Sequence, residues 1–267
     1  MKKIIKGLLP LALLISFICL LLTPLHAEAF GAKKKRPKPH EFGTVLIDNF
    51  SQKKGISPAV FPHWLHRAKY SCRLCHLDIG FSMQAGTTGI SESDIRKGRY
   101  CGACHNGAAA FAPEEKNASG AQMRNCLRCH PSGKNSKLRS AFYEFRNRMP
   151  QDRFGNGLNW IKAEEDGLLS IKDSLEGLSN VKAEFTGPPN MNLSDGETTM
   201  PDIFFSHSKH AVWNGCALCH PDLFGVKRNV QPYSMQDIFE GEYCGACHGK
   251  VAFPNIDCRK CHAKEVF

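Results

Sequence analysis

Tyr100-Cys101-Gly102-Ala103-Cys104-His105 recurs in the second half of the chain as Tyr243-Cys244-Gly245-Ala246-Cys247-His248. Each copy contains a Cys-x-x-Cys-His unit, and four further units share that spacing: Cys72, Cys75 and His76; Cys126, Cys129 and His130; Cys216, Cys219 and His220; Cys258, Cys261 and His262. Together they use all of the chain's 13 cysteines except Cys19. A disulfide framework gives no reason for a histidine after every pair. A zinc framework would group the pairs in fours and leave the adjoining histidines idle. The pattern is that of covalent c-type haem attachment. Two cysteines three apart lie on one side of a helical turn and reach both vinyl groups. The next residue then turns its imidazole to the iron as proximal ligand. The sequence thus predicts six covalently attached haem c groups, with His76, His105, His130, His220, His248 and His262 as proximal ligands, and no zinc.

Composition agrees with a folded chain. Among 267 residues, 42% are hydrophobic and 22% charged, which excludes a disordered tail and a collagen-like repeat. Residues 1–29 read as a secretory signal peptide. Lys2, Lys3 and Lys6 form a basic start, Leu8 to Leu22 an apolar run, and Ala27-Glu28-Ala29 a small-x-small cleavage site before Phe30. An uncleaved anchor is the alternative, but the run is short for a span. Phe17 and Ile18 precede Cys19 where a lipoprotein signal would have small residues, so Cys19 belongs to the apolar run. Export to the periplasm or beyond follows. Residues 30–40 form a basic arm around Lys33-Lys34-Lys35-Arg36, read as a solvated segment or as a dock for an acidic partner or membrane.

The formal charge of +10 falls to +8 when Lys2, Lys3, Lys6 and Glu28 leave with the leader. Such an excess would ordinarily suggest nucleic acid. Six ferric haems with ionised propionates bring it to about +2, so the basic residues are better read as propionate compensation than as a nucleic-acid footprint.

The chain repeats about its motifs. Phe61-Pro62-His63-Trp64-Leu65-His66 matches Phe205-Ser206-His207-Ser208-Lys209-His210, and the same interval separates each from the next Cys. This places one three-haem module at residues 41–135 and a second at 200–267. The connecting segment, 136–199, has neither Cys nor His. Trp160, Ile161, Leu168, Leu169, Ile171 and Leu175 suggest one or two short amphipathic helices there. The segment is expected to pack on a module and set the angle between the two, a free tether being the alternative. The fold class expected is mostly irregular with short α-helices, with the haems as the core. Apolar side chains are too few for a large peptide core, and the mature chain should not fold without haem.

Sixth ligands decide whether the irons are closed, as in an electron carrier, or open, as in a catalyst. His63, His66, His207 and His210 form two His-x-x-His pairs that can each aim imidazoles at two irons. Four such ligands serve six haems, and methionine can replace the missing ones. Met235 precedes Cys244; its aligned residue in the first module is Glu92, a poor ligand, and Met83 lies nearby instead. Met123 and His40 are rivals for the first module.

These motifs resemble the triheme cytochrome c7 family, in particular the c3/c7-type repeats of multihaem "nanowire" cytochromes from metal-reducing bacteria. The resemblance rests on Phe-x-His-x-x-His followed by Cys-x-x-Cys-His, then Tyr-Cys-Gly-Ala-Cys-His and a nearby Ala-Phe. It covers both modules and not the connecting segment. It implies that His63 pairs with His76, His66 with His105, His207 with His220 and His210 with His248. It also implies a methionine opposite His130 and another opposite His262. Two cytochrome c7-like triheme modules in tandem are then the expected architecture.

The function expected is an exported hexahaem electron carrier or conduit, not an enzyme. The resemblance points to anaerobic or extracellular respiration. Redox protein donors and acceptors would be the partners, a membrane or outer-membrane cytochrome complex among them. The alternative is a multihaem reductase of a small oxyanion or nitrogen species, with one open iron at His130.

Overall fold

The computed structural model describes residues 35–133, 136–179, 181–193, 200–227 and 233–263. The leader and the start of the basic arm lie outside them. Regular structure is short. Among the described residues there are three two-stranded antiparallel sheets, pairing β1 (Thr44–Ile47) with β2 (Ala59–Pro62), β3 (Glu114–Lys116) with β4 (Gln122–Arg124), and β5 (Met191–Leu193) with β6 (Ile203–Phe205). The helices are α1 (His63–Arg67), α2 (Glu92–Arg96), α3 (Cys126–Cys129), α4 (Ser136–Arg146), α5 (Trp160–Glu165), α6 (His207–Asn214) and α7 (Met235–Glu240). Three of the attachment motifs sit in 3₁₀ turns, at Tyr100–Ala103, Tyr243–Ala246 and Cys258–Lys260. No helix among the described residues is long and apolar enough to cross a membrane.

The two modules repeat in three dimensions. In each, a strand that carries Phe61 or Phe205 leads into a helix opened by the first histidine of the pair. In each, a helix with a full capping box follows: Ser91 with Asp94 on α2, Ser234 with Asp237 on α7. Glu92 and Met235 are the first residues of these helices, so the sequence alignment of the two positions holds in space.

The connecting segment departs from expectation. Helix α4, the longest, was not foreseen, and Trp160–Glu165 is helical while Leu168 to Leu175 is not. Gly167, at φ +68°, ends the turn after α5 in the left-handed conformation that favours glycine. The chain beyond runs extended against module 1, with Ser71 N–H donating to Lys172 O at 3.0 Å and Lys172 N–H to Lys69 O at 2.9 Å. Lys182 Nζ donates to Ala211 O at 2.9 Å, and Lys209 pairs with Glu165, so the segment also grips module 2.

A peptide core exists after all, and it lies where the three parts meet. Trp64 from module 1, Phe142, Leu158 and Trp160 from the connecting segment, and Trp213 from module 2 form one buried cluster. Phe142 is fully buried. Leu169 and Ile171 pack against it from the extended stretch. Pro37–Phe267 accordingly forms a single unit.

Candidate haem sites

The attachment motifs are tight turns. The N–H of His105, His130, His220, His248 and His262 donates to the carbonyl of the first Cys in its own motif, at 2.8 to 3.1 Å. That bond brings both sulfurs and the imidazole to one side. Gly102 and Gly245 are required by close approach: a Cβ on either would lie 2.0 Å from the carbonyl oxygen of Ile95 or Ile238. The preceding tyrosines, Tyr100 and Tyr243, are held at φ 50° and 49°, a left-handed conformation that costs a non-glycine residue energy.

The paired histidines are placed by phenylalanine. Phe61 stacks on His66 at 4.3 Å between centroids and meets His63 edge-on at 4.8 Å. Phe205 repeats this with His210 at 4.5 Å and His207 at 4.8 Å. Three of these rings, His63, His66 and His210, face a motif histidine. His63 and His76 are parallel within 7°, with centroids 6.5 Å apart. His66 and His105 stand 6.4 Å apart, and His210 and His248 6.2 Å. An imidazole nitrogen binds a metal at about 2 Å, and its ring centre lies about 1 Å further off, so two rings on opposite sides of one ion sit roughly 6 Å apart. Three pairs therefore have the separation that one iron between them requires. No such ring contact joins His207 to His220, although both line the same cavity.

Every one of these histidines is oriented by the same device. The Nδ1 of the four paired and six motif histidines lies 2.6 to 3.3 Å from a backbone carbonyl oxygen. An Nδ1–H donating there leaves the Nε2 lone pair for a metal and fixes the ring. The acceptors also repeat: Phe111 O for His105 and Phe253 O for His248, Ser57 O for His130 and the equivalent Pro201 O for His262. Phe81 O serves His76 and Phe224 O serves His220. The Ala-Phe that trails the second motif of each module thus supplies a carbonyl, a role invisible in the side chains. His40 differs. Its Nδ1 lies 3.3 Å from the Tyr143 hydroxyl, and its ring packs on Phe142 and Tyr143, away from any motif.

Burial pushes His63, His66 and His248 down to about 4, so all three are neutral ligand forms near pH 7. Burial likewise lowers His76 and His210. The cysteines form no disulfide among the described residues. Burial raises the Cys75 and Cys247 thiols to about 12, with other cysteine sulfurs nearby adding to it. Among the described residues no group of three or more His, Cys, Asp or Glu is placed to hold a metal ion by itself.

One cavity of about 2600 Å³ runs from His63 and His76 across the junction to His220, His248 and His262. A site for one small ligand is usually ~300–1,000 Å³, so this space suits several large planar groups. Together with the facing imidazoles and the paired sulfurs, it fits haem. Met235 is on its wall with Cys258 and His262; Met83 is on it beside His76, and His130 is not. Met123 lies on β4 opposite Glu115, half exposed. Glu92 is turned to Arg96, 2.7 Å away, and to solvent.

The family model described as cytochrome c7 and related cytochrome c matches residues 59–131 and 203–263, half of the chain. The chain belongs to the cytochrome c7 family. Both matched stretches carry three attachment motifs, and the connecting segment lies between them. As a cytochrome c7-like protein it is a multihaem c-type cytochrome, mostly irregular with short helices and strands in tandem modules. No curated protein matches. Among solved structures, the C-terminal hexaheme fragment of GSU1996 is 27% identical over 82% of this chain and 96% of that one, with a TM-score of 0.26. A c7-type three-heme cytochrome domain is 39% identical over 29% of this chain and 95% of its own, with a TM-score of 0.27. The dodecaheme cytochrome c GSU1996 is 24% identical over 78% and 71%, with a TM-score of 0.27. Membership of the c7 family rests on the two motif-bearing stretches.

Proposed function

We propose that this cytochrome carries six covalent haem c groups and serves as an exported electron-transfer protein of anaerobic or extracellular respiration, passing electrons between redox protein partners. The observation that carries the reading is the three facing imidazole pairs, each joining a motif histidine to a histidine from the start of α1 or α6. Haem supplies a reversible one-electron couple at each iron. The chain's part is to hold and close the sites. The twelve motif cysteines bind covalently. The carbonyl acceptors hold each imidazole to one rotamer and one tautomer, which keeps rearrangement on a change of charge small. His63, His66 and His210 would supply the second imidazole to the haems held by His76, His105 and His248. We assign His207 to His220 and Met235 to His262, as the family resemblance implies for the second module. Met83, the thioether between the first two motifs of module 1, is assigned to His130. Export follows from the leader, and delivery to a membrane or outer-membrane complex from the family resemblance.

The test is carbon monoxide titration of the fully reduced protein, with the haem count read by mass on the same sample. Six haems and no rapid uptake are expected. Rapid uptake at one iron would place an open site at His130 and turn the reading to the reductase alternative. Fewer than six haems would overturn the attachment assignment.

A further inference from the structure

Arg67 follows the second ligand histidine of module 1 and is partly buried, with its Nε shut off from solvent. Its Nη1 donates to Val251 O of module 2 at 3.0 Å. Its guanidinium lies over Trp160 at 4.6 Å and over Trp213 at 4.9 Å, one ring from the connecting segment and one from module 2. Its Nε has no hydrogen-bond partner, and no carboxylate pairs with it among the described residues. Three contacts hold the guanidinium, two of them with indole faces that stack on a cation. The side chain also lines the large cavity. Close to it lie Cys72 of module 1 and Cys247 of module 2. Cys72 packs against the tryptophan cluster, and Val251 N–H donates to Cys247 O at 3.0 Å, so both attachment sites are tied to the groups that hold Arg67.

The three-haem stretches therefore do not meet through the connecting segment alone. They also meet at Arg67, which lies near the Cys72 and Cys247 attachment sites and bonds Val251 of module 2. We propose that electrons cross between the modules at the Cys72 and Cys247 sites, and that Arg67 is a positioning residue that docks module 2 there and raises the midpoint potentials of those two haems. An oxidised iron carries one more positive charge than a reduced one, so a permanent cation held in a low-dielectric site favours reduction beside it. Arginine suits the place because its guanidinium stacks on indole and stays charged.

The inference rests on the six-haem reading, and the haem count of each variant by mass tests that reading separately. Spectroelectrochemical titration would be run on the full-length holoprotein and on Arg67→Gln, Arg67→Met and Arg67→Lys. With six haems retained, the two neutral variants should move two of the six midpoints to lower potential, and Lys should restore both. Six unchanged midpoints in Gln and Met would overturn the proposal. So would a downward shift in Lys as large as that in Met, which would mean that packing and not charge is felt. If neither neutral variant gathers six haems, the Lys variant decides: wild-type midpoints sustain the proposal and lowered ones overturn it. Six haems missing from the wild-type protein would instead refute the reading beneath it.

Discussion

A methyl group at Gly245 would land 2.0 Å from Ile238 O, and one at Gly102 equally close to Ile95 O. Backbone stands on both sides of that contact, so no side chain can swing away. Gly245→Ala should therefore destabilise the protein by about 1–3 kcal/mol, the usual cost of overpacking. It should also reduce haem attachment at Cys244 and Cys247, read as a species lighter by one haem in the mass spectrum. Ala246→Gly, at the next residue, should retain all six. The glycine was legible in the sequence only as part of a repeated hexapeptide. Its reason is non-local, because the clashing carbonyl belongs to the preceding helix. The attachment motifs themselves were fully legible, since their chemistry is confined to five consecutive residues. The Nδ1 acceptors were not, because a backbone carbonyl carries no residue identity. His40 could be weighed as a ligand from sequence; its contact with Tyr143 sets it apart only in three dimensions.

At the scale of elements, the short helices are held by local chemistry more than by propensity. A helix of six residues is too short to be stable alone. Helix α7 has Ser234 accepting from Asp237 N–H and Asp237 accepting from Ser234 N–H, with Gly241 at φ +99° closing its end. Ser234→Ala should cost about 1 kcal/mol, seen as a lower melting temperature of the oxidised protein. Because Met235 is the first residue of that helix, the same change should loosen the Met235 side chain and weaken the red-region charge-transfer band of a methionine-ligated haem. Ser91→Ala on α2 should cost a similar amount and leave that band intact, since Glu92 stands in the methionine's place and bonds Arg96. The hairpins escaped the sequence reading because strands of three or four residues show too little alternation to register. The apolar residues from Leu168 to Leu175 looked helical by content, but Gly167 stops the helix and the chain is instead pinned to Lys69 and Ser71.

At the scale of the whole molecule, the connecting segment is a wedge shared by both modules. Trp160 is buried between Phe145, Trp213 and Arg67. Trp160→Ala should destabilise by about 3–5 kcal/mol, as truncation of a buried aromatic does. It should separate the modules before either loses haem, seen as an increase in the radius of gyration by small-angle scattering with the haem count unchanged. The tandem architecture was readable because each module repeats its motifs. The wedge was not, because its aromatic residues come from three distant stretches and no periodicity joins them.

The chain has 3 tryptophans, and all of them, Trp64, Trp160 and Trp213, meet in this one cluster. Neither module keeps an indole elsewhere. The tryptophan fluorescence of the protein therefore comes from the junction alone, where haems bound in the cavity would quench it by energy transfer. Emission that appears under mild denaturant while the Soret band is still unchanged would report the seam opening between two intact halves, with no label attached.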